Sequence, residues 1–563
     1  MHSDTYMKKF WDRSTGSKLA ELAAITLAFA LKFLLYRHLT ELDNGLTTRQ
    51  SALSIIVNIG AAAVLASIII TRRHIWSAAL LAITLDVWLI GNTIYFYANH
   101  LLPDWQTLTL VSQLRGFESS ILTFLDWKLM LFPFLTLTSL MFLYALRQPQ
   151  NDVENTWKIA ATSLLMGIAM QTIGTIANNM HGTDDDKWSI RDDENNFLRA
   201  HSPLGHIAYA VKSAVTEGML NIKANTPLTP RELNTIRAVT RQHSNPSEPQ
   251  GHLAFILVES LETWALDATD INGNSVCPNL QNYICSNDVL YCPRVITQQQ
   301  YGRSGDGQLI TQTGLLPLKH GVACMQYGDN TYPNLAHFFD NSVIITGYPG
   351  VWNQHTTTQS YGFKHLREPR FGAKSSDKVV LQQMRQELEN SNKPTCALAL
   401  TIDTHAPFKT QKQTPQFGQG LYSAAETSYL RCVNSLDSLL GNLLAWADTA
   451  ATMSTATIVI TADHNHFPVG NGRGVCPLII RSPKIKQRII INEAYQMDIF
   501  PTVLNIIGQA NYFWQGFGSS LVATTNDDEI TRHDIGERLV SPNEALDISD
   551  KLIRSNFFSN CKQ

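Results

Sequence analysis

The first 276 residues contain no cysteine; all eight cysteines lie at or after Cys277. No two show C-x-x-C spacing, which argues against a cysteine-ligated zinc site. The chain also lacks an excess of either charge. Its 44 Lys and Arg against 47 Asp and Glu leave a net charge of −3 and a pI near 6.6. That excludes the basic footprint of a nucleic-acid-binding protein. No internal repeat and no low-complexity tract is present, which excludes a repeat array.

What the chain does have is apolar length at one end. Its mean hydropathy of −0.08 averages an apolar N-terminal third with a soluble-looking remainder. Five stretches are long enough to span a bilayer, near 19–38, 51–71, 75–97, 121–146 and 157–178. The first lacks a small-residue cleavage site and is followed by further spans, so it reads as retained. Lys8, Lys9, Arg13 and Lys18 precede span one. Arg72 and Arg73 separate spans two and three, and Arg147 and Lys158 separate spans four and five. The alternate loops hold little more than Arg49 and Arg115. The positive-inside rule puts the N-terminus in the cytoplasm, and five crossings put everything after about 180 outside. The chain thus reads as a multi-pass protein of the cell (inner) membrane with a periplasmic or extracellular catalytic domain. Lys32, Asp126 and Lys128 fall toward the outer leaflet, where snorkelling or lipid contact accounts for them; Asp86 lies deeper.

An oxidising compartment fits the cysteine distribution. Cys277, Cys285 and Cys292 are close enough for a local staple; buried free thiols are the other reading. Residues 181–250, with acidic runs at 184–186 and 192–194, read as a linker with interfacial helices. Phe197 to Val215 suits either a helix on the membrane surface or a plain connector. From 251 to 525 the pattern is β/α, and 526–563 reads as a C-terminal tail. Strands are expected at 253–258, 342–346, 396–401, 456–461 and 477–480. Helices are expected at 331–339, 378–390, 424–447 and 494–507. This alternation predicts a mostly parallel sheet between helices.

Three segments carry the chemistry. Phe255 to Val258 is an apolar strand that ends in Glu259, and Thr457 to Thr461 is another that leads to Asp463 and His464. Buried parallel strands deliver polar side chains at their carboxyl ends in this way. Between them, Gly302-Arg303-Ser304-Gly305-Asp306 reads as a Gly-rich turn that exposes a hydroxyl. A carboxylate, an Asp-His pair and a hydroxyl can hold one divalent cation and activate the serine as a nucleophile. Arg303 and Asp306 either pair or contact phosphate. His405, after the strand at 396–401, suits a proton donor or a phosphate contact. His466 suits substrate contact or support of the metal ligands. Trp352 and Asn353 either line a head-group pocket or pack in the core.

Together with Tyr327 to Tyr332, Thr404-His405-Ala406-Pro407-Phe408 and Asp498 to Thr502, these motifs resemble the lipoteichoic acid synthase family of the alkaline phosphatase/sulfatase superfamily. The resemblance implies a five-helix transmembrane domain followed by an extracytoplasmic sulfatase-like α/β domain. It implies metal ligation by Glu259, Ser304, Asp463 and His464, with manganese, magnesium or zinc as the ion. It implies substrate contact by His405. Two features depart from the family: Ser304 replaces the usual threonine, and the catalytic domain is rich in cysteine. Both occur in related phosphoethanolamine transferases. Ser304 is followed by Gly-Asp-Gly, so the formylglycine motif of sulfatases is missing.

The resulting expectation is a membrane-anchored phosphotransferase with a covalent Ser304 intermediate. The donor is phosphatidylglycerol or phosphatidylethanolamine, and the acceptor is an envelope glycan or lipid hydroxyl. Phosphoglycerol transfer is the working reading. Phosphoethanolamine transfer, release of the group to water, and a catalytically silent glycan-binding module are the rivals.

Overall fold

The computed structural model describes residues 2–43, 46–71, 75–99, 102–103, 107, 118–146, 153–178, 201–222, 228–240, 249–370, 376–410, 413–467, 473–486, 488–490, 492–522 and 542–560. Arg72, Arg73, Arg115, Arg147, the acidic runs at 184–186 and 192–194, and Cys561 lie outside these residues. The chain forms two compact units, one running from the N-terminus to Glu217 and one from Gly218 onward.

The first unit is built on α1 (His2–Leu39), α2 (Thr48–Ile70), α3 (Ile75–Asn99), α4 (Leu131–Leu146) and α5 (Val153–Asn178). Each contributes to a stretch of 19 to 24 residues apolar enough to cross a membrane, which for α4 also takes in the turn Trp127–Met130. A capping box between Thr47 and Gln50 starts α2. Small residues let α2 and α5 approach closely. A side chain at Gly60 would meet the Gly167 carbonyl at 2.7 Å, and one at Gly167 would meet the Gly60 carbonyl at 2.6 Å.

The structure corrects the snorkelling reading of Lys32. This side chain is 1% exposed and points into the bundle, where its ammonium lies 2.6 Å from Asp86 Oδ1. It also donates to Thr136 Oγ1, which in turn donates to Asp86 Oδ2. One hydrogen-bonded cluster therefore ties α1, α3 and α4 together. Asp126 caps the turn at Trp127–Met130 and sits 3.6 Å from Lys128. A further helix, α6 (Pro203–Ile222), leaves Ile207, Val211 and Val215 exposed at helical spacing.

The second unit is a nine-stranded mixed sheet flanked by helices. Its strands are β1 (Leu253–Val258), β2 (Val289–Ile296), β3 (Asn341–Thr346), β4 (His365–Arg367), β5 (Thr395–Leu400), β6 (Thr457–Ala462), β7 (Cys476–Arg481), β8 (Arg488–Ile489) and β9 (Ala494–Tyr495). The order is β4-β3-β5-β1-β6-β7-β2-β8, with β9 on β2. From β4 to β6 all pairings are parallel; β7 runs antiparallel to β6 and β2. Strand β1 is central and fully buried, which explains its unbroken apolar run. The five expected strands are present. Strand β2 escaped notice because Pro293 and Arg294 interrupt its pattern at a register shift.

Two expected helices change. The stretch 331–339 holds only a single turn, Leu335–Phe338, capped by Asn334. The stretch 494–507 opens as β9 and becomes helical at Ile499, because Ala494 and Tyr495 pair with β2. The expected tail contains a helix, Pro542–Arg554, that buries Ala545, Ile548, Leu552 and Ile553. Its Asp550 carboxylate accepts the Lys319 N–H, and its Ser549 hydroxyl donates to the Leu316 carbonyl. The local staple expected among Cys277, Cys285 and Cys292 is not formed. Among the described residues Cys277, Cys292, Cys324, Cys396, Cys432 and Cys476 are buried thiols, and Cys285 is exposed. Cys277 precedes a short helix and Cys292 lies within β2, so separate elements hold them.

Candidate functional site

Strand β1 lies between β5 and β6, and all three run in one direction. Their carboxyl ends therefore share an edge of the sheet, where ligands bind in open α/β folds. Glu259 follows β1, and Asp463 and His464 follow β6. The three are 3%, 4% and 3% exposed, and their ligand atoms all lie within 4.8 Å of one another.

Ser304 reaches the same point from another element. The expected turn is instead the start of α7 (Ser304–Thr313), with Ser304 its first residue. The preceding Arg303 has φ +41° and ψ −113°, which turns the chain sharply into the helix. The Ser304 hydroxyl donates to Glu259 Oε2 at 3.2 Å and lies 3.2 Å from His464 Nε2. Helix α7 packs hard against the end of β6: a side chain at Gly307 would meet the Asp463 carbonyl at 2.1 Å. The dipole of α7 favours negative charge at Ser304.

The tautomer of His464 follows from its partners. Nδ1 lies 3.0 Å from the Asn465 carbonyl, which only accepts, and 3.4 Å from Arg303 Nη2, which only donates; the shorter contact assigns the proton to Nδ1. The Nε2 lone pair then faces Glu259 Oε1 at 3.4 Å and Asp463 Oδ2 at 3.6 Å. Two carboxylates and one nitrogen lone pair thus converge, with the hydroxyl protons of Ser304 and Ser260 shared among them. Two unit charges at such separations repel by about 3–4 kcal/mol at an effective dielectric of 20. Burial, then the Glu259 charge, pushes the Asp463 carboxyl up to about 6. Burial pushes the His464 imidazole down to about 4, so it stays neutral at pH 7. A neutral imidazole, two carboxylates and a hydroxyl form a donor set that fits a divalent cation.

The remaining predicted residues divide. Arg303 is 9% exposed, with Nη2 3.4 Å from His464 Nδ1. His405 is exposed on the loop after β5 and adds to the electrostatic field at His464. Trp352 lies against Gly305, and the Asn353 amide donates to the Cys324 carbonyl at 3.0 Å. His466 is 5% exposed, its ring between Phe408 and Phe467 at 4.8 Å from each. Asp306 is corrected. It is 1% exposed, and its Oδ2 accepts the N–H groups of Gln300 and Gly302 at 2.8 and 2.9 Å. That carboxylate shapes the turn before Ser304 rather than facing a phosphate.

Several supporting residues were not legible in the sequence. Ser260 Oγ donates to Glu259 Oε1 at 2.7 Å, and its N–H donates to Asp463 Oδ1 at 2.8 Å. Thr401 Oγ1 accepts the Glu259 N–H at 3.0 Å, and Thr404 Oγ1 donates to the Glu259 carbonyl at 2.5 Å. The Gln496 amide donates to the Asp463 carbonyl at 2.7 Å. The two threonines lie in the motif that contains His405, which was their only signal. Backbone strain also marks the place. Among the described residues from Gly218 onward, six that are not glycine have positive φ: Ser260, Arg303, Trp352, Asn353, Phe408 and Asn556. Five of the six border these side chains, where such conformations concentrate when they serve a site.

Comparison with known proteins agrees with this architecture. Residues 7–217 match the model of the lipoteichoic acid synthase N-terminal domain, and residues 313–509 match the sulfatase model. Glu259 and Ser304 precede the second match; Asp463 and His464 fall inside it. Lipoteichoic acid synthase 1 of Bacillus subtilis (strain 168) is 22% identical over 441 residues, 71% of this chain and 68% of that protein. Lipoteichoic acid synthase 2 of the same strain is 18% identical over 315 residues, 50% of this chain and 48% of that protein. The lipooligosaccharide phosphoethanolamine transferase A (EptA) of Neisseria meningitidis has a similar fold. It is 12% identical, covers 87% of this chain and 95% of its own, and superposes with a TM-score of 0.53. The chain thus carries one segment that matches a lipoteichoic acid synthase N-terminal domain and another that matches a sulfatase domain.

Proposed function

We propose that this protein is a membrane-anchored transferase that moves a phospholipid head group, phosphoglycerol in the first instance, through a covalent ester on Ser304. The observation that supports this reading most is the convergence of Glu259, Asp463 and the unprotonated His464 Nε2 on a hydroxyl at a helix N-terminus. Glu259, Asp463, His464 and Ser304 would hold a divalent cation, manganese, magnesium or zinc. That ion lowers the pKa of the hydroxyl and offsets charge on the phosphate.

The chain's own residues supply the rest. Ser304 passes its proton to Glu259, to which it is hydrogen-bonded, and attacks phosphorus of the donor lipid. The bond from phosphorus to the diacylglycerol oxygen breaks, and His405 gives that oxygen a proton. The head group stays on Ser304 as a phosphodiester. Arg303 and the dipole of α7 stabilise its charge. Trp352, Asn353 and His466 contact the head group. An acceptor hydroxyl on an envelope glycan or lipid then gives its proton to His405 and attacks phosphorus, and Ser304 departs and takes its proton back from Glu259. Tethering to the membrane raises the effective concentration of a lipid donor.

Intact-protein mass after incubation with phosphatidylglycerol or phosphatidylethanolamine tests this. Glycerol phosphate or ethanolamine phosphate on Ser304 identifies the head group. Turnover with no adduct, and only water-soluble head group released, would favour a phosphodiesterase. We place the catalytic unit outside the cytoplasm on the charge asymmetry of the loops. A reporter fused after Met180 should be active only there.

A further inference from the structure

Glu262 lies three residues beyond Glu259 and is fully buried. Its carboxylate meets four N–H groups. Oε1 accepts from the backbone of His466 at 2.8 Å and of Phe467 at 2.6 Å. Oε2 accepts from the Trp264 indole at 2.8 Å and from the backbone of Gly474 at 2.9 Å. No ion pair to Glu262 occurs among the described residues. A carboxylate bound only by N–H groups is fixed in direction, and such charge-assisted bonds are roughly twice as strong as neutral ones.

Three of the donors belong to the segment that follows β6, the one that also carries Asp463 and His464. Its described ends, Phe467 and Gly474, are both tied to this one side chain. The fourth donor, Trp264, carries the Arg473 guanidinium 3.8 Å above its ring and Phe467 at its edge. The Glu262 backbone is pinned as well: its N–H donates to the Tyr429 hydroxyl, which donates to the Ser260 carbonyl. The His466 ring sits between Phe467 and Phe408, and Phe408 belongs to the loop of His405.

We propose that Glu262 is a positioning residue, which fixes the backbone at His466 and thereby sets where the imidazole stands between the two histidine-bearing loops. The effect on transfer rests on the reading given under Proposed function; the effect on His466 does not. Gln is the informative substitution. Its single amide oxygen can accept from only one of the two donor pairs, and the NH2 group faces the other pair N–H to N–H, so the segment that carries His466 loses at least one of its two ties and keeps the other only to a neutral acceptor. Asp keeps the charge and withdraws it by one methylene, which separates charge from reach.

The test uses the full chain in lipid nanodiscs. Diethylpyrocarbonate modification of His466 is followed by peptide mass spectrometry, with His252 as the internal control. His252 is equally buried and lies at the opposite end of β1. In Glu262→Gln the labelling of His466 should rise by about fivefold or more while His252 stays at the unmutated rate. An unchanged His466, or an equal rise at His252, would overturn the proposal, the second by showing general loosening. A double-mutant cycle then reads activity. Glu262→Gln should lower head-group transfer by roughly 10- to 100-fold, and far less in a His466→Ala background. Additive losses would place the action of Glu262 elsewhere. Should Glu262→Gln fail to fold, Glu262→Asp carries the same measurements. Transfer that survives Ser304→Ala would discard the functional reading and leave the labelling result to judge Glu262 alone.

Discussion

Each unit buries an ionic cluster, Lys32–Asp86–Thr136 in the first and Glu259–Asp463–His464 in the second, and these two are built on opposite plans. In the first unit Lys32, Asp86 and Thr136 close on themselves: one cation, one anion and a hydroxyl that bonds to both. In the second unit Glu259, Asp463 and His464 do not close. Two carboxylates and a lone pair face one another, met by the neutral hydroxyl donors Ser304 and Ser260. A closed cluster joins helices where water is scarce and asks for nothing further. An open cluster is costly by itself and becomes favourable when a cation enters. Burial of charge alone therefore does not mark a site; an unbalanced set of donors does.

The largest expected effect lies at the Ser304 hydroxyl of the open cluster. Ser304→Ala should lower transfer by at least ~10⁴-fold, because no other atom there can form the ester. Ser304→Thr should keep part of the rate. Donor-lipid turnover checks both, and an alanine variant at the unmutated rate would replace the covalent route with direct attack by the acceptor.

The second prediction concerns the carboxylates. Glu259→Ala and Asp463→Ala should each lose bound divalent cation, read by elemental analysis, while the chain stays folded. Removing one charge relieves the repulsion in the metal-free site, so the metal-free variants should unfold later than the metal-free parent. Full metal occupancy in both would remove this site as the cation site.

The closed cluster should respond the other way. Lys32→Met strands the Asp86 charge among apolar helices, at a cost of about 2.5–3.5 kcal/mol. Lys32→Met combined with Asp86→Leu should recover most of that loss, as replacement of a whole buried pair by apolar residues often does. Unfolding of the bundle in mixed micelles measures it. A double variant as unstable as the single would show that the pair does more than bind helices together.

The smallest effect is a pH dependence at a second like-charged pair. Asp377 Oδ1 accepts the N–H groups of Ile402 and Asp403, and Asp403 Oδ2 accepts the Asp377 N–H. Burial, then the Asp403 charge, pushes the Asp377 carboxyl from 3.8 up to about 7. A raised carboxyl pKa means that the fold prefers the neutral form. Its contribution is fully present below the ordinary value and is lost as pH rises through 7. Asp377→Asn stays neutral and keeps the Oδ1 acceptor. Its stability relative to the parent should grow between about pH 5 and pH 8. Parallel unfolding curves would assign the titration to another group.

The same contrast explains what was legible beforehand. Strands β1, β3, β5, β6 and β7 announce themselves as short apolar runs. Glu259, Asp463 and His464 stand out because each ends such a run. Glu262, Thr401, Thr404 and Gln496 gave no such signal, since their partners lie 33 to 212 residues away. Lys32 was legible as a charge in a span but not as half of a pair, because Asp86 sits on another helix.

The sequence by itself determined five membrane-length helices, a sheet with polar carboxyl ends, and the residue types of a cation site, because apolar period and composition are local properties. Only the tertiary structure decided the rest. It placed β1 between β5 and β6, which brings Glu259 to Asp463. It made Ser304 the first residue of a helix, although three glycines within Gly302–Gly307 disfavour one. It turned Asp306 inward to the backbone and Lys32 inward to Asp86. In the last two cases the deciding energy is the satisfaction of a buried polar group, by backbone N–H groups four and six residues away for Asp306 and by a partner 54 residues away for Lys32.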